Sequence, residues 1–222
     1  MSILRPVRQG GAPILRAVGS TRSTRPGFQG RVASITSRPK LDTSPGPALS
    51  RSAVRDGLGK CQMTIQVGDH LPQATFRVMG PDGPAARTTD DVFKGRKVVL
   101  VAVPGAFTPT CHRNHLPGYV AKAAEIRAKG VDAIAVTSVN DVFVLDAWSK
   151  ASNGEGVEFL ADGNGDFAKA IGLDMDGSGF GLGVRSKRYA MLVEDGVVKA
   201  LNVEDVPSKA DVSSAETLLK AL

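Results

Sequence analysis

VVLVAVPGAFTPTCHRNHLPGY, residues Val98 to Tyr119, is the most informative stretch of the 222-residue chain. Its first part, Val98 to Val103, is an unbroken apolar run of strand length. A strand that is apolar on both faces belongs at the centre of a sheet covered on two sides. Pro104-Gly105 ends it, since proline lacks a ladder donor and glycine turns freely. Ala106 to Thr110 make a short loop, and Cys111 follows, with His112 and His115 close behind. From Leu116 the apolar positions Leu116, Tyr119, Val120, Ala123, Ala124 and Ile126 recur at helical spacing, and Lys129-Gly130 closes the helix. Cys111 therefore stands where the first turn of a helix offers unpaired N–H groups.

That position suits an activated thiol. A free thiol has a pKa of about 8.5, so only roughly 7% is thiolate near pH 7.4. A helix end favours the anion by about 0.3–1 kcal/mol, less than about one pKa unit. A cation must supply the rest. His112 and Arg113 are adjacent in sequence; Arg185, Lys187 and Arg188 are distant candidates. Position alone also suits a small core cysteine. The flanking residues favour chemistry: Pro104, Gly105 and Pro109 fix the loop, and Thr108 places a hydroxyl three residues before the sulfur. Cys111, His112 and His115 also offer ligand atoms for zinc. A structural zinc site needs a fourth ligand and a spaced second pair, whereas the chain holds one further cysteine, Cys61, and one further histidine, His70. A disulfide reductase of the Cys-x-x-Cys type is disfavoured, because Cys111 to Asn114 reads CHRN.

The net charge of +6 is unevenly spread. Residues 1–62 carry eleven Lys and Arg against two acids, which leaves 17 bases and 20 acids for the remainder. The body is thus mildly acidic, and with one Trp and two Tyr it gives no footprint for nucleic acid. No apolar run approaches the roughly 18 residues of a membrane span. Residues 1–62 are rich in Arg, Ser, Thr, Pro and Gly without a sustained apolar period. Such a segment buries too little surface to order itself, and its composition is that of an organelle transit peptide. The early arginines favour the mitochondrion, with the plastid as the alternative. The other readings are a disordered tail or an extension preceding a true start at Met63, which would leave the protein cytoplasmic. Two cysteines are too few for a disulfide scaffold.

From Met63 onward the chain reads as one domain, 63–222. Thr75 to Val78 is a short strand ended by Gly80-Pro81-Asp82-Gly83, and Thr88 to Phe93 is a helical turn capped by Thr88 or Thr89. Val131 to Val139 is a second central strand, and Asn140 or Asp141 caps a helix running through Trp148. Val157 to Leu160 is a third strand and Phe167 to Ile171 a short helix. Leu173 to Val184 is Gly-rich and irregular. Tyr189 to Val193 and Val197 to Asn202 form a hairpin around Glu194-Asp195-Gly196. Ser213 to Leu222 is a last helix, with Ser213-Ser214-Ala215-Glu216 close to a capping box. This order specifies a three-layer α/β fold, a central mixed β-sheet flanked by helices, and it is the order of a thioredoxin-like domain.

PGAFTPTCHRNHLPGY resembles the active-site signature of the peroxiredoxins, and its His-Leu-Pro-Gly segment resembles the type-five class, called type II in plants. Corroborating segments follow in the right order: Val139-Asn140-Asp141, Ala161-Asp162-Gly163, Arg185 to Tyr189, and Asp195 to Glu204. The resemblance implies a thiol peroxidase that reduces hydrogen peroxide and small alkyl hydroperoxides with no bound metal or organic cofactor. Cys111 would be the peroxidatic nucleophile, Thr108 would hydrogen-bond peroxide and thiolate, and Pro104 would shield the sulfur from water. Arg188 would be the missing cation, and His115, Phe107 and Gly105 would line the substrate pocket. The class commonly forms homodimers.

Two departures bear on the cycle. Relatives with a second cysteine place it where this chain has Ala135-Val136-Thr137 or Asp211-Val212-Ser213, and neither segment holds one. Cys61 precedes the domain. The expectation is a one-cysteine cycle resolved by an external thiol, glutathione with glutaredoxin first and thioredoxin second. The rival reading is a peroxide sensor or redox-signalling protein using the same cysteine, which turnover would distinguish.

Overall fold

The computed structural model describes residues 63–222. The leader 1–62, including Cys61 and the expected domain boundary, lies outside the described residues. Among these, seven strands form one mixed sheet in the order Gly83–Thr88 (β2), Thr75–Gly80 (β1), Glu158–Ala161 (β5), Ala133–Ser138 (β4), Lys97–Ala102 (β3), Tyr189–Glu194 (β8) and Val197–Val203 (β9). Its centre is β3 (Lys97–Ala102), which pairs parallel with β4 (Ala133–Ser138) and antiparallel with β8 (Tyr189–Glu194). β4 continues parallel to β5 (Glu158–Ala161), and β8 turns back into β9 (Val197–Val203).

The apolar run explains why β3 is central. Val99, Val101 and Val103 enter one core, with Leu116, Tyr119, Ile126, Leu145 and Trp148. Val98, Leu100 and Ala102 enter the other, with Phe76, Phe93, Phe167 and Met191. Alternate side chains of a strand point to opposite faces, so an all-apolar strand needs a packed layer on each side. One layer is built by α2 (Leu116–Ala121), α3 (Ala123–Ala128), α4 (Val142–Ala151) and α6 (Ala215–Leu219). The other is built by α1 (Thr89–Phe93) and α5 (Asp166–Ala170). Thr88 caps α1 in a full capping box with Asp91, and Asp141 caps α4 by accepting from the Val144 N–H.

Three local readings change. Gly83–Thr88 is a strand, β2, paired along its length with β1 (Thr75–Gly80). It lies at the sheet edge with Pro84, Ala85 and Ala86 exposed, so no apolar alternation marks it. Within the stretch read as irregular, β6 (Asp174–Asp176) pairs with β7 (Val184–Ser186) in a separate two-stranded ribbon. The last helix is also shorter. Ser214, not Ser213, caps it by accepting from the Thr217 N–H. Ser213 is turned inward and fully buried.

The double burial of β3 sets an expected cost. Leu100→Ala should lower the unfolding free energy by about 2–5 kcal/mol, read from urea denaturation of the full chain. A loss under about 1 kcal/mol would show that the two-sided packing contributes less than this account requires.

Candidate active site

Register brings the site together. Ala102, the last residue of β3, lies beside Thr137 of β4 and Tyr189 of β8, and Tyr189 lies beside Val203 of β9. The loop leaving β3, the segment leaving β4, the residue entering β8 and the residue leaving β9 therefore meet at one end of the sheet. This is the general place for a site in a sheet with parallel strands. Here it gathers Cys111, Asn140, Arg188 and Glu204.

Helical geometry starts at Pro109-Thr110, and Cys111 to His115 form a π-turn, with the Leu116 N–H reaching back to the Cys111 carbonyl. The loop before it is pinned at several points. Asn140 Oδ1 accepts from the Ala106 N–H at 3.0 Å and from the Ser138 hydroxyl at 3.1 Å. The Thr110 hydroxyl donates to the Ser208 carbonyl at 3.0 Å. Gly105 is buried, and a Cβ there would approach Thr108 Cγ2 to 3.2 Å, so glycine leaves Thr108 its place. Phe107 has φ 60°, an uncommon conformation for a bulky residue. Its ring stands half-exposed against His112, centroids 5.7 Å apart.

Cys111 is fully buried. Two donors converge on its sulfur: the Thr108 hydroxyl at 2.8 Å and Arg188 Nη2 at 3.2 Å. Thr108 Oγ1 also lies 2.9 Å from the Gly105 carbonyl. Its one proton can turn to either acceptor, so it serves the sulfur as donor when charge develops there. Arg188 is itself buried at 2% exposure. Its Nε and Nη2 donate to the Pro207 carbonyl at 3.1 and 2.9 Å, and its Nη1 lies 3.0 Å from His115 Nδ1. Among the described residues no carboxylate forms an ion pair with it. A buried guanidinium without a carboxylate stabilises negative charge on the nearest acceptor, and that acceptor is Cys111 Sγ.

The two histidines behind Cys111 face apart. His112 Nδ1 accepts from the Trp148 indole N–H at 3.0 Å, on the side away from the thiol. His115 points to Arg188, so Cys111, His112 and His115 do not converge as a ligand set. Arginine only donates, so His115 Nδ1 must carry the lone pair and Nε2 the proton. Burial holds the His115 pKa down to about 4; the Arg188 charge adds to this, and the hydrogen bond to the Ser213 carbonyl opposes it. The imidazole is neutral under ordinary conditions.

Outside the sulfur lies a cleft of about 560 Å³ lined by Pro104, Thr108, Pro109, Arg188, Pro207 and an apolar rim of Met175, Phe180, Leu182 and Val206. Pro104, Thr108 and Arg188 thus stand between the cleft and Cys111. Gly105, Phe107 and His115 are not part of its lining: Gly105 shapes the loop, Phe107 faces outward, and His115 sits behind Arg188. Of the other distant cations, Arg185 donates to the Val139 and Leu182 carbonyls at 2.6 and 2.8 Å and braces the neighbouring loop. The rim residues and Ser213 gave no sign as site residues in the sequence, and Asn140 and Glu204 stood out there only as members of segments resembling the family, with no role attached. They lie in a Gly-rich stretch, a helix cap and the segment after a hairpin, where composition suggests only turns.

A buried, doubly hydrogen-bonded thiol at the end of a thioredoxin-like sheet defines a thiol-dependent oxidoreductase. The family model described as Redoxin matches residues 66–219. Peroxiredoxin-2E-2, chloroplastic, of Oryza sativa subsp. japonica is 55% identical over 166 residues, 72% of this chain and 73% of the relative. Peroxiredoxin-2E, chloroplastic, of Arabidopsis thaliana is 49% identical over 165 residues, 72% of this chain and 70% of the relative. Among solved structures, reduced Prx3 in complex with hydrogen peroxide from Vibrio vulnificus is 52% identical, with a TM-score of 0.68, covering 71% of this chain and 99% of that one. The chain belongs to the peroxiredoxins, and it is a thiol-dependent peroxidase with antioxidant function. Enzymes of this family need no prosthetic group and take their electrons from thiol reductants.

The mitochondrial expectation is corrected by the same relatives, both named chloroplastic. Its error has a plain cause: Arg- and Ser-rich, acid-poor composition is shared by addresses to both organelles.

The neutral His115 has a measurable consequence. Its pKa of about 4 lies below the unfolded value of 6.5. Between these pH values the unfolded chain takes up a proton that the folded chain excludes, so stability falls as pH drops through that window. His115→Gln should lack this limb. The difference in unfolding free energy between pH 7 and pH 4.5 should be smaller in the variant by roughly 2 kcal/mol, measured by denaturant titration at both pH values. Equal differences in the two proteins would mean that His115 titrates normally.

Proposed function

We propose that Cys111 is the peroxidatic cysteine of a one-cysteine cycle acting on hydrogen peroxide and small alkyl hydroperoxides. One observation carries the reading: Thr108 and Arg188 donors converge on one buried sulfur at 2.8 and 3.2 Å, and both residues line the cleft. The thiolate attacks one peroxide oxygen. The S–O bond forms as the O–O bond breaks, and the leaving oxygen departs as water or an alcohol after taking a proton. Thr108 and Arg188 hold the charge as it moves from sulfur to the leaving oxygen, and Pro104 keeps bulk water from the sulfur. Cys111 is left as sulfenic acid. A thiol then attacks that sulfur, releasing water and leaving a mixed disulfide, and a second thiol frees the Cys111 thiolate.

Ala135-Val136-Thr137 and Asp211-Val212-Ser213 hold no cysteine, which supports an external resolving thiol, either glutathione with glutaredoxin or thioredoxin. The apolar rim, where Phe180 is 86% exposed and Val206 44%, supports a homodimer that covers it. The basic leader, together with the chloroplastic names of two relatives, supports a plastid transit peptide.

Steady-state peroxide consumption tests the assignment. Cys111→Ser should lose essentially all turnover with either donor, whereas Cys61→Ser should stay within about twofold of the parent, a shift of under 0.5 kcal/mol. Substantial turnover by Cys111→Ser would sink the nucleophile assignment. Loss of thioredoxin-supported turnover in Cys61→Ser would instead sink the one-cysteine cycle.

A further inference from the structure

The C-terminal segment after β9 holds a chain of polar groups that the peroxidase reaction does not itself require. Glu204 is 8% exposed and Ser213 fully buried. Glu204 Oε1 accepts from both the Ser213 N–H and the Ser213 hydroxyl, each at 2.8 Å. Ser213 Oγ lies 3.1 Å from His115 Nε2, and the Ser213 carbonyl lies 2.8 Å from the same nitrogen. The Tyr119 hydroxyl donates to that carbonyl at 2.6 Å. On the far side of the imidazole stands Arg188, and beyond it Cys111 Sγ.

We infer that Glu204 and Ser213 are positioning residues: they fix the proton of His115 on Nε2, so that Nδ1 is free to hold the Arg188 guanidinium against the Cys111 sulfur. This rests on the role proposed above for Arg188. The argument is one of donor direction. A carboxylate only accepts, so the Ser213 hydroxyl proton points at Glu204. Its lone pairs then face His115, and the Ser213 carbonyl adds another acceptor beside them. Nε2 therefore meets acceptors and carries the proton, which leaves Nδ1 as the acceptor that Arg188 needs. Without Glu204 the serine proton turns freely and can donate to Nε2. Any imidazole proton displaced to Nδ1 in this way faces an arginine N–H, donor against donor, and the guanidinium loses its rest.

The cost of the arrangement argues for a purpose. Among the described residues Glu204 has no cation in ion-pair reach. Burial pushes its carboxyl up, but hydrogen bonds from the Ser213 N–H and hydroxyl, with a further contribution from the Asp211 backbone, outweigh this and keep it below the usual range. A buried unpaired carboxylate is a poor way to gain stability. It is an effective way to orient a hydroxyl. Glu204 comes into place because β9 ends one residue earlier, and its N–H donates to the Arg188 carbonyl at 3.0 Å. The orienting group and the group it orients are thus fastened to each other through the backbone as well.

The full chain with nitrogen-15 histidine tests this by the ring-nitrogen shifts of His115, which distinguish the tautomers. The parent should show protonated Nε2 and bare Nδ1. Glu204→Leu should shift the population toward Nδ1–H and lower kcat/KM for hydrogen peroxide about tenfold or more, as misdirection of a positioned group does. Ser213→Ala, which removes the hydroxyl but leaves the Ser213 carbonyl as the acceptor for Nε2, should keep the parent tautomer, and a shift to Nδ1–H there overturns the inference. Glu204→Gln, still an acceptor at Oε1, should keep the parent tautomer and most of the rate. An Nδ1–H parent overturns the inference without any variant. So does a Glu204→Leu protein in which either tautomer or rate stays at the parent value. Arg188→Met separates the two readings: it should remove nearly all activity. Full activity there refutes the role of Arg188, whereas an inactive Arg188→Met beside an unaffected Glu204→Leu refutes only the relay.

Discussion

A guanidinium buried without a carboxylate is the constraint around which the site is arranged. Desolvating a cation costs several kcal/mol, and the chain must offset that with acceptors that are themselves immobile. Arg188 finds a backbone carbonyl at Pro207, a neutral imidazole at His115 and the sulfur of Cys111. Two of the three, His115 and Cys111, come from one π-turn, and two, the carbonyl and the imidazole, are uncharged. The positive charge is consequently balanced best when the sulfur is an anion. The protein spends stability on holding a cation where only its nucleophile can answer it.

The sheet makes that arrangement affordable in geometric terms. β3, β8 and β9 end or begin within one row of paired residues, Ala102, Tyr189 and Val203. Cys111 and Arg188 are 77 residues apart in sequence, yet the hydrogen-bond ladder fixes their separation. Both faces of β3 are packed, so the end of the strand is held firmly. A loop hung from it, and tied to Asn140 and Ser208, inherits that rigidity.

Much of this was legible in the sequence, for identifiable reasons. Val98 to Val103 announced a central strand because nothing polar interrupts it. Tyr189 to Asn202 announced a hairpin because Asp195 and Gly196 adopt positive φ, as its turn demands. β2 was silent because an edge strand of Gly, Pro and Ala buries little and shows no alternation. Ser213 was misleading: as one of two serines before a helix it looks like a cap, and only the fold reveals that Ser214 caps while Ser213 turns inward. The choice of Arg188 over Arg185 and Lys187 came from resemblance to a family. Spacing alone does not say which of three cations will face a sulfur that far away. The apolar rim was invisible because Met175, Phe180 and Leu182 are scattered through glycines. The organelle failed for the corresponding reason, since composition carries a charge bias but no address.

The π-turn at Cys111–His115 gives the site an unusual kind of vulnerability. Its wide turn accommodates one residue more than an α-helical turn would between the carbonyl of Cys111 and the N–H that meets it. Cys111 and His115 both turn into the protein, the one to be gripped by Arg188 and the other to grip it. Restoring an ordinary helical turn by removing Arg113 or Asn114, both exposed and without an assigned contact to the thiol, would swing one of the pair away by roughly 100°, the rotation of a single helical residue. Both side chains face outward, so replacing them should disturb the pair less than changing their number.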